Sequence, residues 1–295
     1  MTHAIRRLVL PFAALLFAVP AAFAQPSSPS AAPPTPDAAK PAETLSETHH
    51  TLTVGGKTIR YRALAGDILI GADDKPKARM FYVAYLAEGA GKERPLTFLF
   101  NGGPGSASVW LHLGAFGPVR VPVDGQGMPG PRPWVAVPNP NTLLDVTDLV
   151  FIDPISTGYS RALPGQEDKP YHEFHSDIES VGELVRLFVT RHERWGSPLF
   201  LAGESYGTAR ASGLADYLHR RFNMTLAGVV LVSPALNVAT YSTLPGNDLP
   251  YPLALPAYTA AAWYHKKLPA DLQGDLARAE RESEAFAFGT YSDAL

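Results

Sequence analysis

The sequence predicts an α/β fold built on a mostly parallel sheet, and three observations predict it. Short continuous apolar runs recur at Leu96 to Phe100, Leu149 to Ile152, Leu199 to Ala202 and Val229 to Val232, which is how strands buried on both faces of a covered sheet read. Between the second and third runs, Ile178, Val181, Val185, Phe188 and Val189 recur at helical spacing within Ser176 to Trp195, and Gly196-Ser197-Pro198 supplies a stop. Ahead of the runs, Thr51 to Arg62 and Met80 to Leu86 are rich in β-branched and aromatic residues around Gly55-Gly56 and Asp73-Asp74-Lys75-Pro76. They predict antiparallel strands leading into a βαβ region.

The first residues read differently. His3, Arg6 and Arg7 precede an apolar stretch from Leu8 to Val19, and Ala22-Phe23-Ala24 precede Gln25. A basic start, a short apolar middle and a small-x-small end predict a signal peptide over residues 1–24 and an exported protein, periplasmic or secreted. The stretch falls short of the ~20 residues that span a bilayer. Residues 25–45 are dominated by Pro, Ala and Ser and predict a linker that buries too little apolar surface to order itself.

Composition removes several classes of function. The formal net charge is -3 with no basic stripe, so no nucleic-acid partner is expected. No second apolar segment reaches membrane length, so none is expected in a membrane once the leader is gone. With no cysteine, thiol catalysis, thiolate metal sites and disulfides are all excluded. His49-His50 and the pair His172 and His175 have no third ligand at a recognisable spacing, so neither a metal nor a cofactor is expected.

The chemistry begins at Gly203-Glu204-Ser205-Tyr206-Gly207, a G-x-S-x-G elbow that would hold Ser205 on a sharp turn from strand to helix. The apolar run Leu199 to Ala202 precedes it, and Thr208 to Arg220 reads as a helix with small residues at Ala209, Ala211, Ser212 and Gly213. Small side chains let that helix approach the strand, and its N-terminus favours an anion near Ser205. Asn101-Gly102-Gly103-Pro104-Gly105 directly follows the first parallel run. Adjacent glycines there allow close approach of a ligand to backbone N–H groups, as an oxyanion loop requires.

Three stretches, Asn101-Gly102-Gly103-Pro104-Gly105-Ser106, Phe151-Ile152-Asp153-Pro154-Ile155-Ser156-Thr157-Gly158-Tyr159-Ser160 and Gly203-Glu204-Ser205-Tyr206-Gly207, resemble successive signatures of the serine carboxypeptidases (peptidase family S10), expected here to be of the bacterial type. The resemblance implies an α/β-hydrolase fold with an inserted cap, with residues 46–236 as the core and 237–295 as the start of the cap. It implies a serine exopeptidase acting on peptide or protein C-termini, with Ser205 as nucleophile and the N–H groups of Gly103 and Tyr206 as the oxyanion hole. Asn101, the Gly102 N–H and Glu204 match the family's clamp for the substrate carboxylate. Leu99 stands where many members have tryptophan and Ser106 where many have cysteine, so packing behind the clamp differs. An esterase or acyltransferase on the same fold, or a peptide-binding protein without catalysis, are the alternative readings.

The triad order Ser, acid, His finds only His219 and His265 after Ser205. His219 lies roughly 20 Å along the helix that starts at the elbow, and His265 falls in the segment resembling the cap. The last strands, the triad Asp and the triad His are therefore expected to lie beyond residue 295, in a longer protein. Oligomeric state and the preferred side chain of the substrate are not legible in the sequence.

Overall fold

The computed structural model describes residues 41–72 and 74–295. The signal peptide expected over 1–24 and the linker up to residue 40 lie outside the described residues. The remainder of the expected linker is engaged with the fold: Glu43 holds Arg191 at 2.7 Å and Thr44 Oγ1 donates to Asp67 at 2.7 Å.

The strands are β1 (Leu45–Val54), β2 (Lys57–Ala72), β3 (Lys75–Ala87), β4 (Leu96–Phe100), β5 (Val119–Arg120), β6 (Val137–Pro138), β7 (Asp148–Ile152), β8 (Arg161–Ala162), β9 (Leu199–Glu204) and β10 (Leu226–Val232). The helices are α1 (Val109–Leu111), α2 (Phe174–Arg191), α3 (Tyr206–Phe222), α4 (Pro250–Tyr264), α5 (Ala270–Gln273), α6 (Leu276–Phe286) and α7 (Ser292–Ala294). The main sheet runs β1-β2-β3-β7-β4-β9-β10, with β8 beside β3; β5 and β6 make a separate ribbon.

The N-terminal half of that order is antiparallel and longer than the sequence pattern predicts. Gly55 and Gly56, at φ +55° and +77°, make the two-residue turn between β1 and β2. Positive φ at both central residues is what a hairpin turn matched to strand twist needs. From β7 onward the pairing is parallel through β4, β9 and β10.

Every residue of β4 and β7 is buried, and their alternation divides the core in two. Phe98, Phe100, Val150 and Ile152 face the layer holding Val181, Val185 and Phe188 of α2 and Ala211, Leu214 and Leu218 of α3. Leu99, Leu149 and Phe151 face the opposite layer, with Leu111, Leu144 and Tyr85. Side chains alternate faces along a strand, so one apolar run serves both layers.

Helix α3 ends on Asn223, whose φ of +54° closes the last turn in the left-handed conformation. Among the described residues β10 pairs with β9 alone, and Val229, Val230 and Leu231 are about 40% exposed. After β10 the chain is helical, with α4 and α6 joined by Thr259 Oγ1 and Ser283 Oγ at 2.8 Å. No described helix is long and apolar enough to cross a membrane.

An imidazole packs against the second core layer. His112 begins a π-helical turn, His112–Phe116, stacks on Phe151 at 4.5 Å and meets the Tyr85 hydroxyl with Nε2 at 2.6 Å. Burial lowers its pKa from 6.5 to about 4, because the charged imidazolium loses its hydration there. Between those values the unfolded chain binds a proton that the folded chain refuses. The stability conferred by neutral His112 is full above about 6.5 and is lost as pH falls to about 4. His112→Gln cannot take up this proton and should remove on the order of 2–3 kcal/mol of acid sensitivity across that window. Denaturant unfolding of both proteins between pH 7 and 4 checks it, and parallel curves would contradict it.

Candidate active site

Ser205 sits between β9 and α3 with φ +56° and ψ -124°. A positive φ at a non-glycine residue is strained and persists only where the surroundings over-determine it. Those surroundings are identifiable. Ser205 N–H donates to Val232 O on β10 at 3.0 Å. Thr208 Oγ1 donates to Ser205 O at 2.6 Å and accepts from Ala235 N–H at 2.9 Å. The turn is thus pinned from the adjacent strand and from its own helix.

The glycines around the turn are required by contact. A Cβ on Gly203 would lie 2.0 Å from Gly207 O, and one on Gly207 would lie 2.8 Å from Phe100 O. A Cβ on Gly102 would stand 2.5 Å from Tyr206 N and 2.6 Å from Glu204 O. The loop after β4 and the turn after β9 are therefore in backbone contact, with hydrogen atoms as the only possible spacers. Gly103 and Gly105 have φ of +104° and +109°, a conformation that favours glycine. Neither the N–H of Gly103 nor that of Tyr206 hydrogen-bonds another group among the described residues.

Asn101, Gly103, Ser106, Trp110, Leu111, Glu204 and Ser205 line one hollow of about 530 Å³. Five of the predicted site residues are brought together this way or by direct contact: Asn101, Gly102, Gly103, Glu204 and Ser205, with Tyr206 next in the chain. Asn101 is buried; its Nδ2 donates to Glu204 Oε2 at 3.1 Å, and its Oδ1 accepts from Leu111 N–H at 3.0 Å. The acceptor that a backbone N–H demands fixes which end of the amide faces Glu204.

Sequence reasoning missed the residues that hold this arrangement. Arg210, 2% exposed, donates Nη1 to Asn101 O at 2.8 Å and Nε to Asp177 Oδ2 at 2.8 Å. The Tyr206 hydroxyl also donates to Asp177 Oδ2, at 3.2 Å, and its pKa is pushed up to about 12 by burial and then by the Asp177 charge. A signal was present: Arg210 leads the stripe Arg210, Leu214, Leu218, and Asp177 leads Asp177, Val181, Leu184. Opposite charges heading the apolar faces of two successive helices point to a buried pair. Asp153, in the second motif, supports the loop instead, accepting from Ser108 N–H with Oδ1 at 2.8 Å. Burial raises its pKa, and the N–H groups of Ser108 and Tyr159 oppose the rise.

No described histidine lines this hollow, although His112 directly follows Leu111. His219 is in the last turn of α3 and His265 caps α4. His49 is held by Glu88 at 2.6 Å, His50 by Thr48, and His172 by Ser156 at 2.8 Å; His175 lies in the first turn of α2. Among the described residues no histidine or carboxylate hydrogen-bonds the Ser205 hydroxyl, and no group of three or more metal-ligating side chains converges.

The model of the serine carboxypeptidase family matches residues 61–267. Serine carboxypeptidase-like 45 of Arabidopsis thaliana is 26% identical over 214 residues, covering 65% of this chain and 43% of its own. Serine carboxypeptidase-like 36 of the same plant is 27% identical over 56% of this chain and 34% of its own. A retinoid-inducible serine carboxypeptidase of Rattus norvegicus is 28% identical over 48% of this chain and 30% of its own. The chain thus spans well under half the length of these relatives, and, being plant and mammalian, they lend no support to the bacterial type expected above. Among solved structures, a prohormone-processing carboxypeptidase from Saccharomyces cerevisiae superposes with a TM-score of 0.53 at 20% identity, covering 77% of this chain and 47% of that one. That likeness establishes the α/β-hydrolase fold.

The backbone joint gives a direct test. Gly102→Ala should destabilise the protein by roughly 2–3 kcal/mol, because the new methyl meets backbone atoms that cannot rotate away. Gly114→Ala, where a Cβ meets nothing within 4 Å, should stay within about 0.5 kcal/mol of wild type. Equal denaturation midpoints for the two variants would contradict the contact.

Proposed function

The chain belongs to the serine carboxypeptidase family, and we propose that it acts on the C-terminal bond of peptides, with Ser205 as nucleophile and an exported, periplasmic or secreted, location set by residues 1–24. The observation that carries this reading is the Asn101 and Glu204 pair standing in the same hollow as Ser205. An esterase needs the serine and the oxyanion donors; it has no use for a buried amide locked onto a carboxyl group.

In this reading Ser205 Oγ attacks the scissile carbonyl carbon. The oxygen, gaining negative charge, is met by the N–H groups of Gly103 and Tyr206, which have no competing partner among the described residues, and by the N-terminus of α3. Collapse of the intermediate breaks the C–N bond and leaves the acyl group on Ser205, and water then releases it. The departing amino acid is the one whose carboxylate is held by Asn101 Nδ2, the Gly102 N–H and Glu204. The proton from Ser205 must pass to a general base, a role assigned to none of the described residues. A second reading follows from that: a protein that binds peptide C-termini without cleaving them would need the same clamp.

Glu204 decides between the clamp and a general hydrolase pocket. A carboxyl side chain holds a carboxylate only when one of the two carries a proton, since two facing carboxylates repel. Affinity for a blocked dipeptide acid should therefore fall as pH rises from 4 to 8, while affinity for its C-terminal amide stays level. Glu204→Gln should flatten the first curve and leave the second unchanged. Calorimetric titration measures both, and an unaltered pH profile in the variant would remove the clamp. In a form that supplies the general base, fluorophosphonate labelling abolished by Ser205→Ala marks the enzyme; binding without any labelling in that form marks the second reading.

A further inference from the structure

We propose that His112 and Tyr85 are positioning residues for the clamp: their hydrogen bond fixes the helical turn whose Leu111 N–H orients the Asn101 amide toward Glu204. The inference rests on the clamp reading above and names what that clamp leans on.

The argument starts from the shortness of α1. Three residues of helix are continued only by the π turn His112–Phe116, and Ser108, at the N-cap, makes no side-chain capping bond. The Ser108 hydroxyl donates instead to Ile152 O on β7. The Leu111 N–H, one of the first-turn donors that a helix leaves unsatisfied, is met by Asn101 Oδ1. A turn this short does not hold its own position by propagation, so something outside it must.

At the far end Asn139 Nδ2 donates to Ala115 O at 2.7 Å and Thr142 Oγ1 to Phe116 O at 2.8 Å; at the end next to Leu111 the hold comes from His112. Its ring lies nearly flat on Phe151 of β7, centroids 4.5 Å and planes 22° apart, while Nε2 meets the Tyr85 hydroxyl of β3. The turn is thus fastened to two strands through one side chain. Gly117 closes the far side: a Cβ there would be 2.4 Å from His112 O and 3.0 Å from its ring. Burial keeps the Tyr85 hydroxyl protonated and the imidazole neutral, so the two share a single hydrogen bond whose direction the ring tautomer sets. π-helical turns of this kind concentrate at functional sites. If the fastening slackens, Leu111 N–H drifts, the Asn101 amide loses the partner that sets its orientation, and Nδ2 no longer faces Glu204.

The test compares N-benzyloxycarbonyl-Ala-Phe with its C-terminal amide, titrated calorimetrically into the full chain and into Tyr85→Phe, His112→Leu and His112→Gln. Tyr85→Phe keeps the ring and its packing, so it remains informative if His112→Leu fails to fold. Expected is a loss of about three- to tenfold in affinity for the acid in Tyr85→Phe and His112→Leu, with the amide changed less than about twofold. His112→Gln, whose amide oxygen can accept from Tyr85, should stay within about twofold of wild type for the acid. Hydrogen exchange at the Leu111 amide should speed up in Tyr85→Phe by a similar factor. Equal losses for acid and amide would reduce the pair to a packing role and overturn the proposal, as would an unchanged acid preference. If wild type itself fails to prefer the acid, the clamp falls and the proposal with it; preference in wild type that survives Tyr85→Phe overturns the positioning role alone.

Discussion

The buried pair of Arg210 and Asp177 is the constraint from which the site hangs. Two charges, 2% and 8% exposed, are costly to remove from water unless each is fully partnered. Here each has more than one partner: Arg210 reaches Asp177 and Asn101 O, and Asp177 also accepts from Tyr206. These contacts tie α2, α3 and the loop after β4 into one unit, with the elbow of Ser205 enclosed between them. Replacing one partner would leave the other charge buried alone, so the pair acts as a lock whose value lies in the register it imposes.

Within that lock the clearances are set by absent side chains. Gly102, Gly203 and Gly207 let three backbone segments meet at distances that no Cβ permits. Close approach sets the loop after β4 against the turn that carries Ser205, beside the strained backbone of the serine. Strain here is sustained by Thr208 and Val232, and its effect is to present one hydroxyl above the end of the sheet.

The proposed clamp and the fold make opposite demands on pH. Binding a carboxylate with Glu204 favours acid, because one proton must be shared between two carboxyl groups. The fold loses stability in acid, because His112 must charge inside the layer between Tyr85 and Phe151. The same imidazole underlies both the turn behind Asn101 and this acid limit, so the working range would be bounded on the acid side by the device that aligns the clamp.

The sequence alone determined the class of fold and the apolar runs that become its parallel strands, and it singled out Ser205 as the expected nucleophile. Those rest on local patterns: apolar runs of strand length, a helical stripe, and glycines spaced as an elbow. Boundaries moved where pairing extended the strands, as in β2, and where Glu43 and Thr44, read as linker, found partners in Arg191 and Asp67. Tertiary structure decided what local patterns cannot encode. The contact of Gly102 with Tyr206, separated by about a hundred residues, exists only because β4 and β9 are neighbours in the sheet. Arg210 and Asp177 head the apolar faces of two helices, but only the stacking of those helices on one face of the sheet brought the two charges together. His112 belongs to no motif in the sequence, and only its packing against Tyr85 of β3 and Phe151 of β7 keeps it neutral. Each of these depends on which strands lie side by side, a long-range fact that periodicity along the chain does not carry.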